Sequence, residues 1–503
     1  MTVPTTPPAE HPAPLTGSAA ASHAASSPHP WMHASMEDAR RIFERQRAHR
    51  WPAADTSASE RIATLRRLKK SLLEHREALH DAMYADFHKP AAEVELTEIQ
   101  PTLHEINHTI RHLRRWMRPR RAKTPWLLTG TRSEIRYEPK GVVLILAPWN
   151  YPVLLLLTPL ASAVAAGNCA IVRPSEKVPH TSRVLGEIVR SVFDDERVAL
   201  LTGDIPFANA LLDLPFDHVF FTGSTKVGRH VMVAAARHLA GVTLELGGKS
   251  PAIVDESANV QAAAERVMWG KCINAGQTCV APDYVLVHES RAREFVERAK
   301  EALDRFYGPT PEERRDSPDF CRIVDDFGFE RLVSLLDRTV AAGARIEIGG
   351  ERRAADRYIA PTILTDVLPH APLMREEIFG PILPVLTFRT LEEAAARIAG
   401  MGKPLALYVF SRRGSPVEEV LRRTSSGGSV VNNVVIHLIN PHLPFGGVGE
   451  SGLGSYHGIF GFRTFSHERS VLRQGRASMF HHFYPPYAPR MRRLVGLVSR
   501  ALS

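Results

Sequence analysis

Short apolar, β-branched runs alternate with helical stretches over much of this 503-residue chain, and that alternation constrains its fold more than any other feature. The runs GVVLILAPWN (141–150), CAIVRPSE (169–176), DHVFFTGSTKVG (217–228) and VTLELGGKSPAIV (242–254) are separated by helical stretches. A second set follows, with DYVLVHES, ILPVLTF and LALYVFS as strands and AREFVERAKEALDRFY and FERLVSLLDRTVAAG as helices. Strands that are apolar on both faces need helices on both faces, which is the build of parallel β/α units. Two doubly wound α/β domains are expected, and no internal repeat is detectable. The length and a hydrophobic content of 44% suit two such cores.

The two ends read differently. Residues 1–35 are Pro, Ala, Ser, Thr and His with few large apolar side chains, too few to offset ordering entropy, so disorder is expected. Met36 is an alternative first residue. Helical spacing then runs to about Arg118, most clearly in SERIATLRRLKKSLLEHREALHDAMYADF. The basic tail, 476–503, spaces Met491, Leu494, Val495, Val498 and Leu502 helically, which allows weak peripheral contact with an anionic membrane surface, although simple docking or fraying is the plainer reading. No apolar run of roughly 20 residues is present to span a bilayer, and no secretory signal opens the chain, so a cytoplasmic protein is expected. The net charge of +9 comes from 63 basic and 54 acidic residues mixed along the chain, which argues against a nucleic-acid partner.

Four cysteines in a chain this long are too sparse for a disulfide framework, and none has ligand-spaced partners for zinc, so no metal is expected. Two of them, Cys272 and Cys279, fall in KCINAGQTCVAPDYV (271–285). Cys169, Cys272 and Cys321 read as core residues.

FTGSTKVG places Gly223, Ser224 and Gly228 at a strand-to-helix turn, where unpaired N–H groups and the helix dipole suit a pyrophosphate. The pattern is looser than the usual G-x-G-x-x-G fingerprint. Glu176, after the strand ending in VRPSE, is placed to accept from ribose hydroxyls. Both signals point to a dinucleotide.

APWNYP, VRPSE, FTGSTKVG, LELGGKSP, NAGQTC, EEIFGP and LPFGGVGESG stand in the order found in aldehyde dehydrogenases, and the chain resembles that family from about Met36 to Gln474. TLELGGKSP, GQTCVAPDYVL, RYIAPTILTDV, KPLALYVFS, TSSGG and GSYHG are similar to its class 3 branch, which handles aromatic and longer aliphatic aldehydes. LRRWMRPRR and YPPY resemble bacterial coniferyl aldehyde dehydrogenases.

The resemblance implies a Rossmann-like NAD-binding domain (36–119 and 139–244), a catalytic domain (245–460) and a β oligomerisation arm (120–138 and 461–475), paired as a homodimer. It makes Cys279 the nucleophile. A hydride cannot readily leave an sp2 carbon, and thiolate addition supplies the tetrahedral centre that releases it. With no His beside it in sequence, Cys279 needs backbone N–H groups or a helix end to favour the thiolate. The Asn150 amide and the Cys279 N–H are implied as oxyanion donors. Glu245 is the implied base for thioester hydrolysis, and its apolar flanks are expected to raise its pKa.

For the cofactor, the resemblance implies Ala147 and Trp149 along the dinucleotide, Ser224 at the pyrophosphate, and Glu377 at the nicotinamide ribose with Phe379 against it. Arg173 stands where the family usually has Lys. Its guanidinium suits an extra phosphate, whereas Glu176 opposes one, so NAD is favoured with NADP possible. Alternative readings are a CoA-acylating enzyme, an esterase working without nucleotide, and a non-catalytic binding or structural protein on the same fold.

Overall fold

The computed structural model describes residues 34–476, 484–485 and 489–502. The segment expected to be disordered lies outside these except at its end, where Ala34 N–H donates to Thr202 O and Ser35 caps helix Met36–Ala54 through its side chain. In the tail, Pro489–Leu502 is helical.

A six-stranded sheet runs in the order Gly452–Leu453, Gly241–Glu245, His218–Thr222, Val142–Leu146, Cys169–Arg173, Val198–Leu200. All neighbours are parallel except the two-residue edge strand, which pairs antiparallel with Gly241–Glu245. Every side chain of Val142–Leu146, Cys169–Arg173 and His218–Thr222 is buried, as covering on both faces requires. Sequence order reverses beside Val142–Leu146, and the crevice outside the carboxyl ends at such a point is where α/β sheets bind ligands.

A second, seven-stranded sheet runs Arg345–Ile348, Thr362–Thr365, Ile382–Phe388, Tyr284–His288, Pro251–Val254, Ala406–Phe410, Gly428–Val431. The run 242–254 is thus two strands in two sheets, split at Leu246–Ser250, where Gly247 and Gly248 interrupt the β-branched pattern. The chain also returns to the first sheet before residue 460: Gly452 pairs with Glu245, and helix Gly458–Thr464 packs on helices Gln100–Trp116 and Leu154–Ala166. A third sheet joins Arg120–Arg121, Thr131–Pro139 and Ser466–Gln474, the last two paired antiparallel along their whole length.

The helical run 59–87 breaks at His75 into Ala58–Glu74 and Arg76–Phe87. Helix Leu154–Ala166 is buried on every side. Among the described residues no helix is long and apolar enough to cross a membrane, and no group of His, Cys, Asp and Glu could hold a metal ion.

Candidate active site

The turn after strand Val142–Leu146 presents side chains to two cavities. Trp149 lines a cavity of about 630 Å3 at the carboxyl ends of the first sheet, and Tyr151 lines an apolar cavity of about 190 Å3. Asn150, between them, is buried, and its Nδ2 donates to Gln277 O at 3.0 Å. An amide carries two N–H donors, so one remains beyond that bond.

The larger cavity gathers Ala147, Trp149, Arg173, Glu176, Gly223 and Ser224. Ser224 caps helix Thr225–Ala236. Gly228 does not line the cavity: a Cβ there would stand 2.6 Å from Leu246 Cδ2, so this glycine permits close packing of helix on strand end. Arg173 is buried, and one of its Nη atoms donates to Glu176 Oε2 at 2.7 Å and to Gly203 O at 2.6 Å, while its Nε has no partner within the protein. One arm of the guanidinium fork is therefore already engaged.

Cys279 lies on the loop leading into strand Tyr284–His288 and lines the apolar cavity with Tyr151, Leu154, Trp269, Val435 and Tyr456. It is the partly exposed cysteine, whereas Cys169, Cys272 and Cys321 are buried. Burial pushes its thiol up to about 12, the nearby Glu377 and Glu245 carboxylates push the same way, and the backbone N–H groups of Cys279 and Val280 at the sulfur oppose them. Tyr408 Oη donates to Val280 O, and Tyr151 Oη bonds Thr278 Oγ1 at 2.6 Å.

Glu245, at the end of its strand, is 3% exposed, and neither carboxylate oxygen has a hydrogen-bond partner within the protein. Desolvation holds its carboxyl well above the usual range. Glu377 approaches from the second sheet, where burial and the Asp283 charge raise it to about 8 against the Gly248 N–H and Lys249, which lower it. Its loop is fixed from beneath: Lys249 Nζ pairs with Asp283 and donates to Leu373 O at 2.8 Å and Glu376 O at 2.9 Å, and Asp283 Oδ1 accepts from Ile378 N–H at 2.8 Å. Neither Glu377 nor Phe379 lines the larger cavity, but the Phe379 ring stands edge-on to Trp149, centroids 5.5 Å apart.

Left-handed backbone at residues other than glycine concentrates here, at Asn274, Ala275, Phe379, Val435 and His457. Such conformations persist where the surroundings over-determine them, commonly at functional sites. Sequence reasoning missed Tyr151, Thr278, Tyr456 and the Lys249–Asp283 pair. The available signals were the place of Tyr151 beside Asn150 and that of Lys249 in the apolar context of LELGGKSP.

A thiol and two carboxylates thus meet at the seam between two α/β sheets, the first of which opens on the larger crevice. Residues 13–471 match the model of the aldehyde dehydrogenase family. Aldehyde dehydrogenase family 3 member B1 of Bos taurus is 45% identical over 450 residues, covering 89% of this chain and 94% of the relative. The structure of Staphylococcus aureus AldH in a substrate-bound state superposes with a TM-score of 0.87 at 41% identity, covering 93% of this chain and 100% of that one. An NAD+ complex of aldehyde dehydrogenase from Bacillus cereus superposes with a TM-score of 0.80 at 26% identity, covering 88% and 89%. The chain belongs to the aldehyde dehydrogenase family, and its similarity to the family 3 member agrees with the class 3 resemblance.

Proposed function

We propose that the protein oxidises an aromatic or medium- to long-chain aldehyde to its carboxylic acid, with NAD as hydride acceptor, through a thiohemiacetal and a thioester on Cys279. The observation that carries this reading is Cys279 at the apolar cavity with the buried, unpartnered carboxylate of Glu245 acting on the same sulfur.

The larger cavity fits a dinucleotide: Ser224 opens a helix N-terminus onto it, and Gly223 keeps clear a place where a Cβ would meet the Phe221 ring at 2.4 Å. Ala147, Trp149, Arg173, Glu176 and Ser224 would hold NAD there, with Glu377 and Phe379 at its nicotinamide ribose. Bound NAD supplies the hydride acceptor. Glu176, paired to Arg173, favours NAD over NADP by opposing a further phosphate.

The Cys279 sulfur adds to the aldehyde carbon, its proton leaving to solvent or to a nearby carboxylate. The free N–H of the Asn150 amide and the Cys279 N–H stabilise the oxyanion, a contribution of about 3–4 kcal/mol for preorganised donors. When hydride leaves, the carbon becomes a thioester. Glu245, when ionised, takes a proton from water as that water attacks the thioester, and the carboxylic acid departs with the thiol restored. Retention of this base supports water over CoA as acyl acceptor.

Leucine, isoleucine, valine and aromatic side chains around the thiol support an apolar aldehyde, and the bacterial coniferyl aldehyde subgroup is the proposed affiliation. The third sheet is the proposed homodimer arm, and the cytoplasm the proposed compartment. The test is NADH and NADPH formation by the protein and its Cys279→Ala variant with coniferyl aldehyde, benzaldehyde and aliphatic aldehydes of increasing length. Turnover lost in the variant supports the reading, whereas turnover kept in it, or absent from the parent with every pair, refutes it.

A further inference from the structure

One wall of the apolar cavity changes pitch where it meets the site. Between helices Ala91–Val94 and Gln100–Trp116 the backbone is a π-helix over Glu95–Ile99, a rare geometry that is frequent at functional sites. Leu96 and Thr97 face the cavity from it. Of the three carboxylates that flank or occupy this stretch, Glu95 pairs with Arg76 and His80, whereas Glu93 and Glu98 each end on a different piece of the site.

Glu93 Oε1 accepts from the Asn274 N–H at 2.6 Å. Glu98 Oε2 accepts from the N–H groups of Val153 and Leu154 at 3.1 and 3.0 Å, and its Oε1 accepts from Lys89 Nζ at 2.9 Å. Lys89 is fully buried, with its ammonium 4.1 Å from the Tyr151 ring centroid. On an α-helix, residues five apart diverge by about 140°. The wider π turn, with bonds from i to i+5, narrows that angle.

The two targets are tied to each other. Asn274 Nδ2 donates to Asn150 O at 2.9 Å and to Gln277 O at 3.0 Å, and Gln277 O also accepts from Asn150 Nδ2. The loop ahead of Cys279 needs holding, because Asn274 and Ala275 are both left-handed, at φ 53° and 48°, where a Cβ is unfavourable.

We infer that Glu93 and Glu98, with Lys89, are positioning residues that brace the Asn150 turn and the Cys279 loop from one helical wall and so set the amide against the sulfur. Neither carboxylate lines the apolar cavity; both act through backbone N–H groups. This rests on the proposed roles of Asn150 and Cys279.

The test compares full-length Glu93→Ala, Glu93→Gln and parent by hydrogen–deuterium exchange and by turnover per titrated Cys279. Exchange in Glu93→Ala should rise in peptides covering 273–278 and 149–151. Its kcat should fall on the order of 10- to 100-fold at unchanged nucleotide KM, and nucleotide-free ester hydrolysis, which uses the same sulfur and amide, should fall in step. Glu93→Gln keeps an oxygen to accept from Asn274 N–H and should restore most of both activities. If the Ala variant does not fold, Glu93→Asp, which withdraws the carboxylate by one methylene, replaces it. Unchanged exchange at 273–278, unchanged kcat per site, or a Gln variant as impaired as Ala overturns the brace. Exchange is read without turnover, so an inactive parent refutes the proposed function while the exchange data still decide the brace.

Discussion

Glu377 lies so close to Gly247 that a Cβ on that glycine would stand 2.0 Å from Glu377 Oε2. The first sheet's exit loop therefore sets where a carboxylate from the second sheet comes to rest.

Gly247→Ala is expected to leave the fold intact, because the colliding atoms are the far end of a flexible side chain, yet to drive Glu377 from its seat. Displacing a substrate- or cofactor-positioning group by about 1 Å costs up to roughly 100-fold in rate, so kcat should fall with little change in thermal midpoint. Steady-state kinetics beside a melting curve checks this, and unchanged kcat would show that Glu377 has no positional role.

Glu377 also bears on the thiol. Its carboxyl, raised to about 8, is neutral below that pH and charged above it, and the charge helps hold the Cys279 thiol up near 12. Glu377→Gln should accordingly alkylate with iodoacetamide at Cys279 at nearly the parent rate at neutral pH and several-fold faster above pH about 8, as the thiolate fraction grows. Peptide mass mapping assigns the label. Equal rates at every pH would remove Glu377 from the thiol's surroundings.

Glu245 carries a stability signature opposite to that of an ion-paired carboxylate. Burial raises its carboxyl well above the usual 4.5, so the folded protein keeps a proton that the unfolded chain releases. The stability from the neutral form is full below the unfolded value and is lost as pH rises through the raised one. Glu245→Gln stays neutral, so its melting temperature should exceed the parent's by a margin that widens with pH, while thioester hydrolysis falls by about 100- to 10,000-fold. A margin that shrinks as pH rises would contradict the buried neutral carboxyl.

Nucleotide preference should turn on Glu176, which accepts from the Arg173 guanidinium at 2.7 Å. Glu176→Gln removes the charge that opposes a 2′-phosphate and loosens the guanidinium toward it. The NADP to NAD ratio of kcat/KM should rise roughly tenfold or more, the effect of about 1.4 kcal/mol. A ratio that does not move would place the discrimination elsewhere.

Much of this was legible in the sequence. The uninterrupted β-branched runs announced Val142–Leu146, Cys169–Arg173 and His218–Thr222 because strands buried on both faces must be apolar throughout. Edge strand Gly452–Leu453 is too short to carry a period, and which sheet claims Pro251–Val254 depends on tertiary pairing. Gly228 reads as a turn glycine, whereas its function is contact with Leu246. Lys89, Glu93 and Glu98 carry no signal in the sequence beyond the helical spacing around them, since the partner that holds Glu93 lies 181 residues away.

The most direct measurement is a single turnover of Glu245→Gln with benzaldehyde and NAD, following NADH release and the intact mass of the protein. The expected result is a burst of NADH stoichiometric with sites, and a Cys279 adduct with the mass of the aldehyde less two hydrogens, which then persists. A burst without an adduct, or an adduct on another residue, would contradict covalent oxidation at Cys279.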